Sequence, residues 1–255
     1  MKKHSIALLL LLVLLTGCGA KTEEAPWQTA YRETGKYLQE QDALSAGSVG
    51  GEWAVIGLSR AGLLSDETAQ SYEQTVEDYV KQAGSVRLHH AKSTENSRAI
   101  LGLTAAGYNA ANMAGVDLTA GLTDMAYLRA QGTNGPIWAL IALDCHGYDI
   151  PQCADGEEQT TCEGLVAEIL SYQCSDGGWA LMGDESDVDM TAMALTSLAP
   201  YQEETDIKAA VDAPLTYLSD AQQADGGFMS WGAANSESCA QVIVALTALG
   251  IDSAA

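Results

Sequence analysis

Indole rings, amides and carboxylates recur together along this 255-residue chain: Glu52 with Trp53, Glu95 with Asn96, Asn134 with Trp138, Asp187 with Asp189, then Trp231, Asn235 and Glu237. Trp179 adds a further ring. A flat aromatic face stacks on a ring-shaped ligand, while amides and carboxylates bond its hydroxyls or amides. A sugar, a corrinoid-like cofactor or a cell-wall fragment offers such groups. The same residues have a plainer reading, because a tryptophan at a helix start packs neighbouring elements and acidic residues suit helix N-termini.

Other groups suggest narrower chemistry. Asp184, Asp187 and Asp189 form a carboxylate cluster suited to weak Ca²⁺ binding outside the cell, although the spacing lacks the Asp-x-Asp-x-Asp-Gly and terminal Glu of an EF-hand loop. No other cofactor is expected. His89-His90 reads as a metal or ligand contact, or as a solvated loop pair. Besides Cys18 the cysteines are Cys145, Cys153, Cys162, Cys174 and Cys239, an odd set without a Cys-x-x-Cys, which excludes a zinc ribbon or thioredoxin-type motif. Cys145 with Cys153 or Cys162 is the first pair to test for a disulfide; the alternative is small apolar residues buried in helices.

The elements that would position these groups repeat. Five apolar segments align without gaps on Leu58, Leu103, Leu143, Leu195 and Leu246, and each closes on a glycine or proline: Gly62, Gly107, Gly147, Pro200 and Gly250. Each reads as a buried helix with a C-terminal stop. More polar, amphipathic stretches alternate with them at 27–44, 66–82, 117–131, 159–174 and 206–222, as outer helices. Inner helices apolar on most sides and outer helices apolar on one make an all-α protein, an α/α-toroid of about five helical hairpins. The single Phe and 47% hydrophobic content agree with closely packed helices. Lys+Arg of 12 against Asp+Glu of 34, a net charge of -22, excludes nucleic acid as a partner.

Two later segments, Gln173-Cys-Ser-Asp176-Gly-Gly-Trp179 and Gln222-Gln-Ala-Asp225-Gly-Gly-Phe228, share the pattern Gln-x-x-Asp-Gly-Gly-aromatic. This resembles the repeat of squalene cyclases and protein prenyltransferases, over most of the chain and by motif from about Trp138 onward. It looks closest to the surface proteins of Gram-positive gut bacteria that carry the repeat. The resemblance implies a glutamine ending the outer helix, a tight Asp-Gly-Gly turn and an aromatic wedge between hairpins; the family ring usually has about six hairpins. Asp187-Val-Asp189-Met190-Thr-Ala is similar to the Asp-x-Asp-Asp-Thr-Ala motif of class II terpene cyclases, which places Asp189 as proton donor and Asp187 as its neighbour, with Met190 replacing the third carboxylate. The zinc set of the prenyltransferases has only Asp144-Cys145-His146 as a counterpart, and contiguous side chains at a helix end cannot close on one ion.

Lys2 and Lys3 precede an apolar run over 6–15, which is too short to span a bilayer and right for a secretory signal. Leu15-Thr-Gly-Cys18 resembles the lipobox of bacterial lipoproteins, which implies a signal over 1–17, lipid on Cys18, a tether over 18–26 and a toroid domain over 27–255 on the extracytoplasmic face of the cell membrane. The expected function is a lipid-anchored protein that binds a small molecule, glycan or partner at an acidic, aromatic rim. A degenerate cyclase using Asp189 and a structural surface module are the alternatives.

Overall fold

The computed structural model describes residues 25–41, 44–48 and 50–253; the expected signal, Cys18 and the tether up to residue 24 lie outside them. The chain divides into two units, residues 1–40 and 41–255. In the first, α1 (Pro26–Gln39) starts with proline in its first turn, and the Gln28 side chain reaches back to the Ala25 N–H at 2.9 Å. It ends well before the 44 expected, and its Trp27, Tyr31 and Tyr37 are exposed.

The second unit holds α2 (Gly51–Arg60), α3 (Asp66–Ala83), α4 (Thr94–Ala105), α5 (Met125–Arg129), α6 (Asn134–Asp144), α7 (Cys162–Ser171), α8 (Val188–Leu198), α9 (Thr205–Ala221) and α10 (Ser236–Ala248). One two-residue hairpin, Met229–Ser230 against Ala233–Ala234, is the sheet among the described residues, so the fold is all-α. The even-numbered helices are the five apolar segments. Each packs on the next, α2 on α4, α4 on α6, α6 on α8 and α8 on α10, while α3, α5, α7 and α9 lie against one or other of them. Leu58, Leu103, Leu143 and Leu195 are buried, and each removes its side chain from water at about 2 kcal/mol.

Four core helices stop in the same way. The carbonyls of Leu58, Leu103, Leu143 and Leu246 accept the N–H five residues on, from Leu63, Tyr108, Tyr148 and Ile251, at 2.8, 2.9, 2.9 and 2.8 Å. This is the six-to-one bond of a Schellman stop, which needs the left-handed residue that the intervening glycine supplies. After Leu195 there is no such glycine, and the helix instead runs into a 3-10 turn, Ala199–Tyr201, containing Pro200.

The motif turns also repeat. Gln173 Nε2 donates to the Gly177 carbonyl at 2.7 Å and Gln222 Nε2 to that of Gly226 at 3.0 Å; Asp176 and Asp225 each accept the N–H two residues on. Gly177 has φ 93° and its added Cβ would sit 2.6 Å from that of Ala213, so no larger residue fits.

The outer stretch 117–131 departs from expectation. It is a 3-10 turn, Leu118–Leu122, followed by the short α5. A neighbouring segment captures its backbone: Met125 N–H donates to Glu158 and Thr160 N–H to Thr123, both at 2.8 Å, and Asp124 caps α5 by accepting from Ala126 N–H at 3.1 Å. Those bonds compete with a continuous helix. The stretch 159–174 is helical only from Cys162, where Thr161 caps α7 through the Gly164 N–H at 2.9 Å.

Candidate functional site

All five core helices contribute one face each to a cavity of about 900 Å³. From α2 come Trp53, Ile56 and Arg60, from α4 Leu101, and from α6 and its end Trp138, Ile141, Asp144 and Cys145. Met193, Thr196, Ser197 and Pro200 follow from α8 and the turn after it, and Glu237, Ala240, Gln241 and Val244 from α10. The spacing of three or four residues within each set is that of a single helical face. The walls are mostly apolar, and the size is that of a small-molecule site.

Trp53 and Trp138 meet edge to face, with ring centroids 5.3 Å apart. Such a pair presents both an indole face and an edge to a ligand. Arg60 and Cys145 each stand seven residues beyond one of these tryptophans, and the Arg60 charge acts on the Cys145 thiol. Seven helical residues put the Trp53 level and the Arg60 level about 10 Å apart along α2.

The polar groups on the walls are tuned by burial. Burial pushes the Asp144 carboxyl above its usual range, against the Tyr201 hydroxyl that donates to both its oxygens at 3.1 and 3.0 Å. It pushes the Cys145 thiol up too, with Arg60 opposing.

The candidates read from the sequence separate into three groups. Trp53, Trp138 and Glu237 line the cavity. Trp231 is 97% exposed at φ 52° on the tip of the small hairpin, and Asn235 caps α10 by accepting from Ser238 N–H at 3.0 Å; neither lines the cavity. The rest are structural. Glu52 is 1% exposed, accepts from Gly47 N–H at 2.6 Å and lies 3.9 Å from Arg98, which also donates to Glu95 at 2.6 Å. The Tyr79 hydroxyl donates to Glu95, and its pKa is pushed up to about 12, by burial first and then by that carboxylate. Asn96, expected to face a ligand, is fully buried and holds Leu88, Val86 and Leu118 backbone groups. Trp179 is likewise fully buried, its Nε1 donating to Ile169 at 2.7 Å. Both are therefore wedges between elements and not ligand contacts.

Asp187 caps α8: its two oxygens accept from Met190 N–H at 2.7 Å and Leu181 N–H at 3.2 Å. Burial raises its carboxyl, and these bonds oppose the rise. Asp189 Oδ2 accepts from Ser230 at 3.3 Å, while its Oδ1 is enclosed without a partner among the described residues. Neither aspartate is among the residues lining the cavity. Asp184 is turned to the Ser175 N–H, and among the described residues no group of three His, Cys, Asp or Glu side chains converges on a metal position.

All five described cysteines are free. The expected pairing of Cys145 with Cys153 or Cys162 is not made, since Cys145 Sγ turns to the Ala142 carbonyl at 3.1 Å and Cys153 Sγ to that of Glu157 at 3.6 Å. The rings of His89 and His90 stack at 4.4 Å.

A second hollow, of about 450 Å³, lies at Ser85, Val86, Arg87, Ala120, Thr123, Gln152, Ala154 and Glu157. Its arginine is already engaged, at 3.0 Å from Asp124 and 2.5 Å from Glu157, and stacked 4.5 Å over the Tyr127 ring.

Sequence reasoning missed Arg60, Asp144 and Cys145 as one end of the site. The signal was there in the seven-residue offset of Arg60 from Trp53 and of Cys145 from Trp138. Among the described residues no helix is long and apolar enough to cross a membrane. Comparison with protein-family models, with curated proteins and with solved structures finds no match to this chain.

Proposed function

We propose that this protein is an extracytoplasmic binding protein, an α/α-toroid of about five hairpins held at the membrane by lipid on Cys18, and that its small-molecule ligand enters the cavity between the core helices. The observation that carries the reading is the cavity itself: about 900 Å³, mostly apolar, walled by every core helix and carrying the touching Trp53–Trp138 pair. The alternation of core helices with outer ones and the two like-bonded Asp-Gly-Gly turns support the ring. The site differs from the rim first read from the sequence, since Glu52, Glu95, Asn96 and Trp179 are occupied within the fold.

The test is a thermal-shift screen of the full chain against small apolar and amphipathic compounds, repeated on Ala240→Trp, which fills the cavity. Ligands that raise the melting temperature of the wild type and not of the variant support the reading. Equal shifts in both remove it. Membrane attachment is tested separately: Cys18→Ala moves the protein out of the membrane fraction, and retention of the variant there defeats the lipid anchor.

A cyclase-like enzyme would also use an apolar cavity. Its acid is what is missing, because Asp189 does not line the walls. Loss of turnover of a polyprenyl substrate in Asp189→Asn would restore it.

A further inference from the structure

In a chain with 34 acidic residues against 12 basic ones, a cation does not lack carboxylates to pair with. Arg32, Arg87, Arg98 and Arg129 each have one within 4.0 Å. Among the described residues Arg60 is the arginine that has none, and it lines the cavity from the last residue of α2. An arginine in the last turn suits the helix dipole, and the exposed guanidinium of Arg60 stands at the edge of the apolar walls with no carboxylate on it. A guanidinium is a planar fork of five donors that fits a carboxylate in two-pronged fashion.

We propose, resting on the cavity-binding reading above, that the ligand is a monoanionic amphiphile, a carboxylate with an apolar body, whose head sits on Arg60 and whose body runs towards Trp53 and Trp138. The two levels lie about 10 Å apart, so the body is a medium-length chain or an extended aromatic acid. One cation sets the charge at one. Asp144 and Glu237 also line the walls, so a second negative charge on the ligand would lie unpaired among carboxylates, which disfavours diphosphate heads. Arg60 is exposed, so the pair is screened by solvent and the head group is worth about threefold to fivefold in affinity.

The experiment titrates the full chain calorimetrically with dodecanoate, dodecanol and dodecylamine, the acid and the amine below their micellar concentrations and the alcohol below its solubility limit. The three share a chain and differ in head. Dodecanoate should bind about threefold to fivefold tighter than dodecanol, with dodecylamine weakest. Arg60→Gln should bring dodecanoate down to the affinity of dodecanol and leave dodecanol unchanged, while Arg60→Lys should keep most of the preference. Equal binding of carboxylate and alcohol to the wild type overturns the inference and leaves the cavity reading standing. So does a preference that survives Arg60→Gln. If none of the three binds, the inference falls, and the cavity reading is decided by the thermal-shift screen of wild type and Ala240→Trp. Arg60 is an exposed side chain, and circular dichroism with unchanged melting shows that its variants fold.

Discussion

Two hollows in this molecule each contain an arginine, and the arginines are in opposite states. Arg87 is gripped by Asp124 and Glu157 and lies over Tyr127. Arg60 has apolar walls and a thiol for company and no carboxylate within 4.0 Å among the described residues. The first arrangement ties loop to loop: Arg87 follows α3, Asp124 caps α5 and Glu157 precedes α7. Its energy is already committed to the fold. The second leaves donors available, which is what a binding site requires and a structural joint does not. Where acids outnumber bases almost threefold, the described arginine without a carboxylate partner is the informative one.

The contrast can be broken at either arginine. Arg87→Ala should have the largest effect, costing about 2 kcal/mol in urea denaturation, because Asp124 is 8% exposed and is left with Glu157 and no cation; partial exposure of the group keeps the loss below that of a fully buried pair. Ile56→Glu should convert Arg60 to the state of Arg87, since a glutamate four residues before an arginine on the same helix face pairs with it. The expected readout is loss of the severalfold preference for dodecanoate over dodecanol with melting nearly unchanged; a retained preference would show that Arg60 is not the head-group contact.

Asp144 gives a smaller effect with a definite sign. Its folded pKa is raised, chiefly by burial, so the folded state holds the proton more tightly than the unfolded chain does. Its contribution to stability is full below the unfolded pKa near 3.9 and is lost as pH rises through the higher folded value. Asp144→Asn keeps an oxygen for the Tyr201 hydroxyl and should therefore gain stability relative to wild type as pH rises from about 3 to 7, read as melting temperature against pH. A constant difference across that span would mean that Asp144 is not desolvated. Smallest of all, Arg60→Ala should leave unfolding within about 0.5 kcal/mol of wild type. A loss comparable to that of Arg87→Ala would erase the distinction between the two hollows.

The core helices were legible because their signal is local: five apolar runs, each ended by a glycine or proline that the backbone needs at that position. The stretch 117–131 was not, because the bonds from residues 123 and 125 to residues 158 and 160 that break it join parts of the chain distant in sequence. The site was half legible. Trp53, Trp138 and Glu237 precede or open apolar runs and were found by that position. Asn96 had the same mark and is internal, since a buried amide bonded to backbone reads the same in sequence as one aimed at a ligand; Trp179, read both as a ligand ring and as an aromatic wedge, is fully buried. Arg60 and Asp144 sit at helix ends, where a charge has a local explanation that hides any other.

The wall that draws on every core helix has a consequence for cooperativity. Helices that pack mainly on their sequence neighbours behave as a linear array, able to loosen from either end with each hairpin opening at its own free energy. A ligand seated between α2, α4, α6, α8 and α10 touches the first and last members as well as those between, and any of them that opens loses it. At a hundredfold excess over its dissociation constant it adds about 2.7 kcal/mol to every opening that empties the cavity. Amide exchange at the two ends of the array should then slow to the rate of its middle, so that occupancy turns a row of separately breathing hairpins into one unit that opens all at once.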